Sequence, residues 1–111
     1  MARQDYESCI QACLDCLKAC EACAADCIGT GPDMAECLRL CLECAEACQD
    51  CARVMMRGSS QAARWCVLCA DMCDACAAEC AKFSKATCRE CAEACRRCAQ
   101  ECRRVSVVKA A

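Results

Sequence analysis

Cysteine dominates the chemistry available to this chain. It supplies 21 of the 111 residues, and histidine is absent. The cysteines form four groups. The first is Cys9, Cys13, Cys16, Cys20, Cys23 and Cys27, and the second is Cys37, Cys41, Cys44, Cys48 and Cys51. The third is Cys66, Cys69, Cys73, Cys76 and Cys80, and the fourth is Cys88, Cys91, Cys95, Cys98 and Cys102. Thiolates are soft ligands that select Cu(I), zinc or iron–sulfur clusters. An odd number of cysteines cannot pair off completely within one chain, and side chains three or four apart on a helix sit about 5–6 Å apart at Cβ. That exceeds the roughly 3.5–4.5 Å a disulfide prefers, whereas a metal ion bridging two sulfurs suits it.

The elements that carry these residues follow from the spacing. Within each group the gaps alternate strictly between three and four. That is the a/d seam of an α-helix, and the period of two that a strand needs appears nowhere. Gly29-Thr30-Gly31-Pro32 separates the first two groups, Gly58 the second and third, and Phe83-Ser84-Lys85-Ala86 the third and fourth. Asp33 with Glu36 and Thr87 with Glu90 read as capping boxes, and Ser59 or Ser60 as a cap. The spacing predicts helices over about 5–28, 33–57, 60–83 and 87–105 in a single domain, 1–111. Short connections make neighbours antiparallel, so the predicted fold is all-α: an up-down-up-down four-helix bundle with a cysteine-lined core. Each helix is one repeat of a unit whose sulfur stripe is buried only when four stripes share an axis.

Composition narrows the function. With 14 basic and 16 acidic residues the net charge is −2, which offers no basic footprint for nucleic acid. No apolar run approaches the roughly 18 residues of a membrane span, and none follows Met1 as a signal peptide would. The expected location is the cytoplasm, where thiols stay reduced and dense cysteine reads as metal binding. Without a histidine base or an isolated nucleophilic cysteine, no catalysis is expected.

Charge discriminates among metals. A zinc ion in four thiolates leaves about −2 per site, costly to bury repeatedly. No Lys or Arg occupies a seam position within the cysteine runs. Cu(I) accepts two thiolates, and each thiolate can bridge two ions, so the ratio tends to one copper per sulfur and the core to neutrality. The expected cargo is Cu(I), roughly 20 ions per chain. The alternatives are iron–sulfur clusters, whose cysteines usually cluster in loops before a proline, and a zinc or cadmium buffer. Cysteine as a small buried hydrophobe is the remaining reading, and it does not account for 21 at strict seam spacing.

Ser8-Cys9-Ile10-Gln11-Ala12-Cys13-Leu14-Asp15-Cys16 resembles the opening of the bacterial copper storage proteins, cytosolic branch. So do Cys66-Val67-Leu68-Cys69-Ala70-Asp71-Met72-Cys73 and Cys76-Ala77-Ala78-Glu79-Cys80-Ala81-Lys82. The resemblance spans roughly residues 4–104. It implies a four-helix bundle, Cu(I)–thiolate ligation in the core and a homotetramer. Relatives usually carry histidines between helices 3 and 4, where this chain has Lys82-Phe83-Ser84-Lys85-Ala86-Thr87, and tend to lack cysteine at positions 41 and 51. On this resemblance the chain reads as a divergent or redesigned member.

Outside the cysteines, extending the heptads gathers Tyr6, Met55, Ala62 and Val105 at one end of the core. Met34 and Phe83 gather near Cys27 and Cys88 at the other. These read first as apolar end caps. Met34 is also the candidate entry ligand, its thioether guiding Cu(I) inward, and Met55 and Met56 are weaker candidates at the opposite end. Ile10, Leu14 and Leu17, with Leu38 and Leu42, form a second apolar stripe off the seam and predict a subunit interface. Arg96, Arg97, Arg103 and Arg104 read as helix-dipole partners late in helix 4.

Overall fold

Alternation of three and four residues places every cysteine on one stripe of its helix, and a single helix leaves that stripe exposed. The computed structural model, which describes residues 3–110, shows how four helices bury it. A 3-10 turn, Arg3–Tyr6, leads into α1, Glu7–Cys27. A second turn, Pro32–Met34, leads into α2, Ala35–Met56, followed by α3, Ala62–Cys80, and α4, Ala86–Ala110. No strand occurs among the described residues. Helix α1 packs on α2 and α4, and α3 packs on the same two. The result is a square antiparallel bundle, 44 × 19 × 18 Å along its principal axes.

The core is made of sulfur and small side chains. All 21 cysteines are buried, with Ala12, Ala24, Ala45, Ala52, Ala70, Ala77, Ala92 and Ala99 between the helices. Alanine at these flanking positions lets the backbones approach closely, which brings the short cysteine side chains within reach of one another. No polar or charged residue is buried among the described residues.

The helix ends differ from the sequence-based expectation in instructive ways. Helix α2 stops at Gly58 as expected, through a Schellman arrangement. The Gly58 amide donates to Met55 O at 2.9 Å and the Ser59 amide to Val54 O at 3.3 Å, with Gly58 at φ 64°. The three expected caps do not form. No side chain caps α2 or α3. Ser59 instead accepts from the Gln61 amide at 3.0 Å, one turn before α3, which therefore starts at Ala62 rather than 60. Thr87 lies inside α4, where its hydroxyl donates to Asp26 Oδ2 at 2.7 Å. Helix α3 ends at Cys80, short of 83, in a tightening turn where the Phe83 amide donates to Cys80 O at 3.2 Å. Helix α4 continues past 105 to Ala110.

That extension removes the helix-dipole reading of the late arginines, because the effect is confined to the last turn. Three of them form ion pairs instead. Arg97 meets Asp15 of α1 at 3.5 Å, Arg103 meets Asp74 and Asp71 of α3, and Arg104 meets Glu101 at 3.1 Å. These pairs are exposed, so each contributes about 0.2–1 kcal/mol at most.

Candidate metal centre

Because the stripes from four helices meet on one axis, the thiols form a column along the bundle. At the end where α1 finishes and α4 begins, the sulfurs of Cys88 and Cys23 are 3.5 Å apart. Cys23 lies 3.8 Å from Cys37, which lies 3.6 Å from Cys80. Cys80 leads at 3.7 Å to Cys41, which forms a triangle with Cys76 and Cys91 at 3.8–3.9 Å. Cys91 leads at 3.6 Å to Cys20, and Cys20 at 4.0 Å to Cys95. Around mid-bundle, Cys95, Cys16, Cys44 and Cys73 crowd together at 3.6–4.0 Å. Cys48 then connects to Cys73 and Cys69 at 3.8 Å and to Cys98 at 3.9 Å, and Cys98 meets Cys13 at 3.6 Å. Toward the far end lie the pairs Cys9–Cys102 at 3.7 Å and Cys51–Cys66 at 3.6 Å. Cys27 stands beside the first layer at the near end.

The column has no natural division into separate sites. Cys16, Cys20, Cys44 and Cys95 lie within 4.8 Å of one another, and so do Cys16, Cys44, Cys48 and Cys73. Cys20, Cys76, Cys91 and Cys95 form another such group, as do Cys23, Cys37, Cys41 and Cys80, and Cys13, Cys69, Cys98 and Cys102. Cys16, Cys20, Cys44 and Cys95 each belong to two groups. A metal–sulfur bond of about 2.3 Å puts the sulfurs of a trigonal site about 4 Å apart and of a linear site about 4.6 Å apart. The observed 3.5–4.0 Å spacing thus fits trigonal ligation almost as it stands and linear ligation after the pair opens by roughly 0.6–1.1 Å.

The protonation chemistry is that of thiols crowded in a dry core. Burial pushes Cys37 up to about 11, and burial together with the Cys88 contact pushes Cys23 up as well. Cys51 goes the other way, down to about 6, because the thiols of Cys102, Cys13 and Cys66 donate to it. Isolated thiolates are disfavoured here, but a thiolate surrounded by S–H donors, or by metal ions in their place, is not.

The two ends differ. Tyr6, Met55, Ala62 and Val105 close one end, each at most 1% exposed. At the other end Cys27 is 3% exposed and Met34 7%, with Phe83 half-buried. The connection between α3 and α4 is tied down there. Lys85 Nζ donates to Asp26 O at 3.2 Å, and Thr87 donates to the Asp26 carboxylate. Sequence reading missed this tie, since nothing local pairs Asp26 with residues some sixty positions away. It also missed an apolar patch on α3, where Trp65, Val67 and Leu68 are exposed; the i, i+3 spacing of Trp65 and Leu68 was the available signal. The expected stripe on α1 and α2 is graded: Ile10 is buried, Leu17 and Leu38 are half-buried, and Leu14 and Leu42 are exposed by 36% and 43%.

A helical bundle whose interior is a continuous column of reduced thiols defines a class of soft-metal-binding protein. Residues 2–107 match the family model for the copper storage protein, and the chain belongs to that family. Solved structures agree. The Cu(I)-bound copper storage protein BsCsp3 superposes with a TM-score of 0.87 at 40% identity, covering 91% of this chain and 97% of that one. The apo form of copper storage protein 3 from Bacillus subtilis gives 0.86 at 40% identity, with 91% and 98% coverage. A cytosolic copper storage protein from Streptomyces lividans, caught during loading with five coppers, gives 0.87 at 36% identity, with 95% and 94% coverage. No curated protein sequence matches the chain.

Proposed function

We propose that this chain, acting as a single domain, is a cytosolic store for Cu(I) that uses all 21 cysteines as ligands. The observation that carries the reading is the uninterrupted thiol column in a core with no buried charge among the described residues. Four-thiolate zinc sites would each bring about −2 into that core with no cation to offset it. The sharing of cysteines between neighbouring groups also favours bridging thiolates over closed tetrahedral sites. One Cu(I) per thiolate leaves the column neutral. The Cu(I)-bound BsCsp3 structure supports the choice of metal, and the cytosolic Streptomyces lividans relative supports the location.

Copper enters, on this reading, at the end bearing Cys27 and Met34, the least sealed part of the column. Met34 offers a soft thioether there in a chain without histidine. The exposed Leu14 and Leu42 support self-association, with a homotetramer the expected form. The role is storage without catalysis: the column offers ligands and no base.

Anaerobic titration of reduced protein with Cu(I) against a competing chelator tests the proposal. Uptake of roughly one ion per cysteine before free copper appears is the expected result. Saturation at four or five ions would indicate closed tetrahedral sites and overturn the neutral-column argument.

A further inference from the structure

The heptad register does not stop at the last cysteine of α2. Four residues beyond Cys51 the next ladder position is Met55, which is fully buried. Its sulfur points into the column: Met55 Sδ accepts from the Cys66 thiol at 3.8 Å. Cys66 in turn lies 3.6 Å from Cys51. Two of the three edges between the sulfurs of Met55, Cys66 and Cys51, at 3.8 and 3.6 Å, therefore lie near the roughly 4 Å between donors that a trigonal S3 site requires with a metal–sulfur bond of about 2.3 Å. Around them Tyr6, Cys9, Ala62 and Val105 exclude water, each at most 1% exposed. No buried carboxylate or ammonium competes for the position among the described residues. The other described methionines do not share this setting. Met56 is exposed, Met72 is half-buried, and Met34 lies at the opposite end.

Resting on the copper-storage reading, we propose that the thiolates of Cys51 and Cys66 and the thioether of Met55 hold a Cu(I) ion that closes the column at its sealed end. The chemistry favours this donor set. An ion in the last layer has thiols, Cys9 and Cys102 among them, only on its column side, so the plug side lacks the bridging thiolates available at mid-column. A thioether supplies the missing soft contact without adding charge, and it has no proton to lose. A leucine would fill the same volume as a plug, so packing alone does not require sulfur at this position.

Selenium reports the bond directly. Protein is prepared with selenomethionine at Met55 alone, with Met34, Met56 and Met72 changed to Leu and the initiator methionine removed. Its helicity is verified by circular dichroism, and selenium-edge EXAFS is recorded before and after anaerobic Cu(I) loading. A parallel pair keeps every other methionine as selenomethionine, with and without Met55→Leu, so the result does not depend on the other leucine variants folding and any copper on selenium at Met34 is subtracted. Loading should add a copper neighbour at bonding distance, close to the metal–sulfur value of about 2.3 Å, and, in the parallel sample that keeps Met55, on a fraction of the selenium. Total copper uptake is measured on the same samples. Full uptake with no copper shell on selenium at Met55 overturns this site and leaves the storage reading intact. Absence of uptake in the parallel sample that keeps every methionine overturns both.

Discussion

The thiols of Cys23 and Cys88, in the last turn of α1 and the first turn of α4, lie 3.5 Å apart. Among the described sulfur contacts Cys88 reaches the rest of the column through Cys23. An ion taken up at Cys88 is therefore handed across Cys23 to Cys37, while one held at Cys27 can also pass to Cys37 directly. Cys23→Ser replaces a soft ligand with a hard hydroxyl of nearly equal size at that step. The expected outcome in stopped-flow transfer from a Cu(I) chelator is several-fold slower uptake, with final capacity reduced by only about one or two ions. Unchanged kinetics would place the entry route elsewhere.

Copper should act as a folding ligand for a bundle that already exists. Helix ends, loops and seam all specify one topology, and neutral thiols tolerate burial, so the reduced metal-free chain should show strong helical circular dichroism. Cysteine buries less apolar area than the leucine of an ordinary bundle core, so that form should be of modest stability. Each ion binds the folded arrangement preferentially, and the melting temperature should climb stepwise with loading. A chain that is disordered without metal would contradict the preformed column.

Acidity should act on the loaded bundle and alkalinity on the empty one, both through the cysteine thiols. Binding displaces thiol protons, so Cu(I) affinity should fall as pH is lowered, as followed by chelator competition between pH 8 and 5. The metal-free bundle should respond oppositely. Burial raises Cys37 from about 9 to about 11 and raises Cys23 too, so the unfolded chain releases those protons first as pH rises. The folded state then binds more protons than the unfolded state, and stability must decline above about pH 9. Urea midpoints of reduced apoprotein at pH 9 and 10.5 give the check, since the lowered Cys51 has completed its own opposite contribution by about pH 9, and a higher midpoint at the more alkaline pH would contradict the assignment.

Leu14 on α1 and Leu42 on α2 are exposed by 36% and 43%, so charge introduced there should cost the folded subunit within about 0.5 kcal/mol. The double variant Leu14→Glu, Leu42→Glu should be monomeric by light scattering yet keep its copper capacity. A wild type that is monomeric at high concentration would rule out this face as an interface.

The core was legible in the sequence because the seam is periodic: Cys16, Cys44, Cys73 and Cys95 come from four helices yet converge, and their a/d register alone predicts it. The sealed end was legible for the same reason, as Tyr6, Met55, Ala62 and Val105 continue that register. The junctions were less so. Thr87 reads as a cap from its neighbours but bonds to Asp26, a partner that exists only once α1 and α4 are packed. Arg103 reads as a helix-end charge but meets Asp74 on α3 for the same reason. Local rules describe competition among neighbours, and they fail where a tertiary partner wins.

The layer of Tyr6, Met55, Ala62 and Val105 makes the column a blind tube. A blind tube has one doorway, so arriving and departing ions share it. The oldest cargo should then lie deepest, and the ions most recently admitted should leave first. A chain loaded with one copper isotope and topped up with a second should release the second ahead of the first. With entry at the Cys27 and Met34 end, the protein should behave as a stack whose history of supply is written along its length.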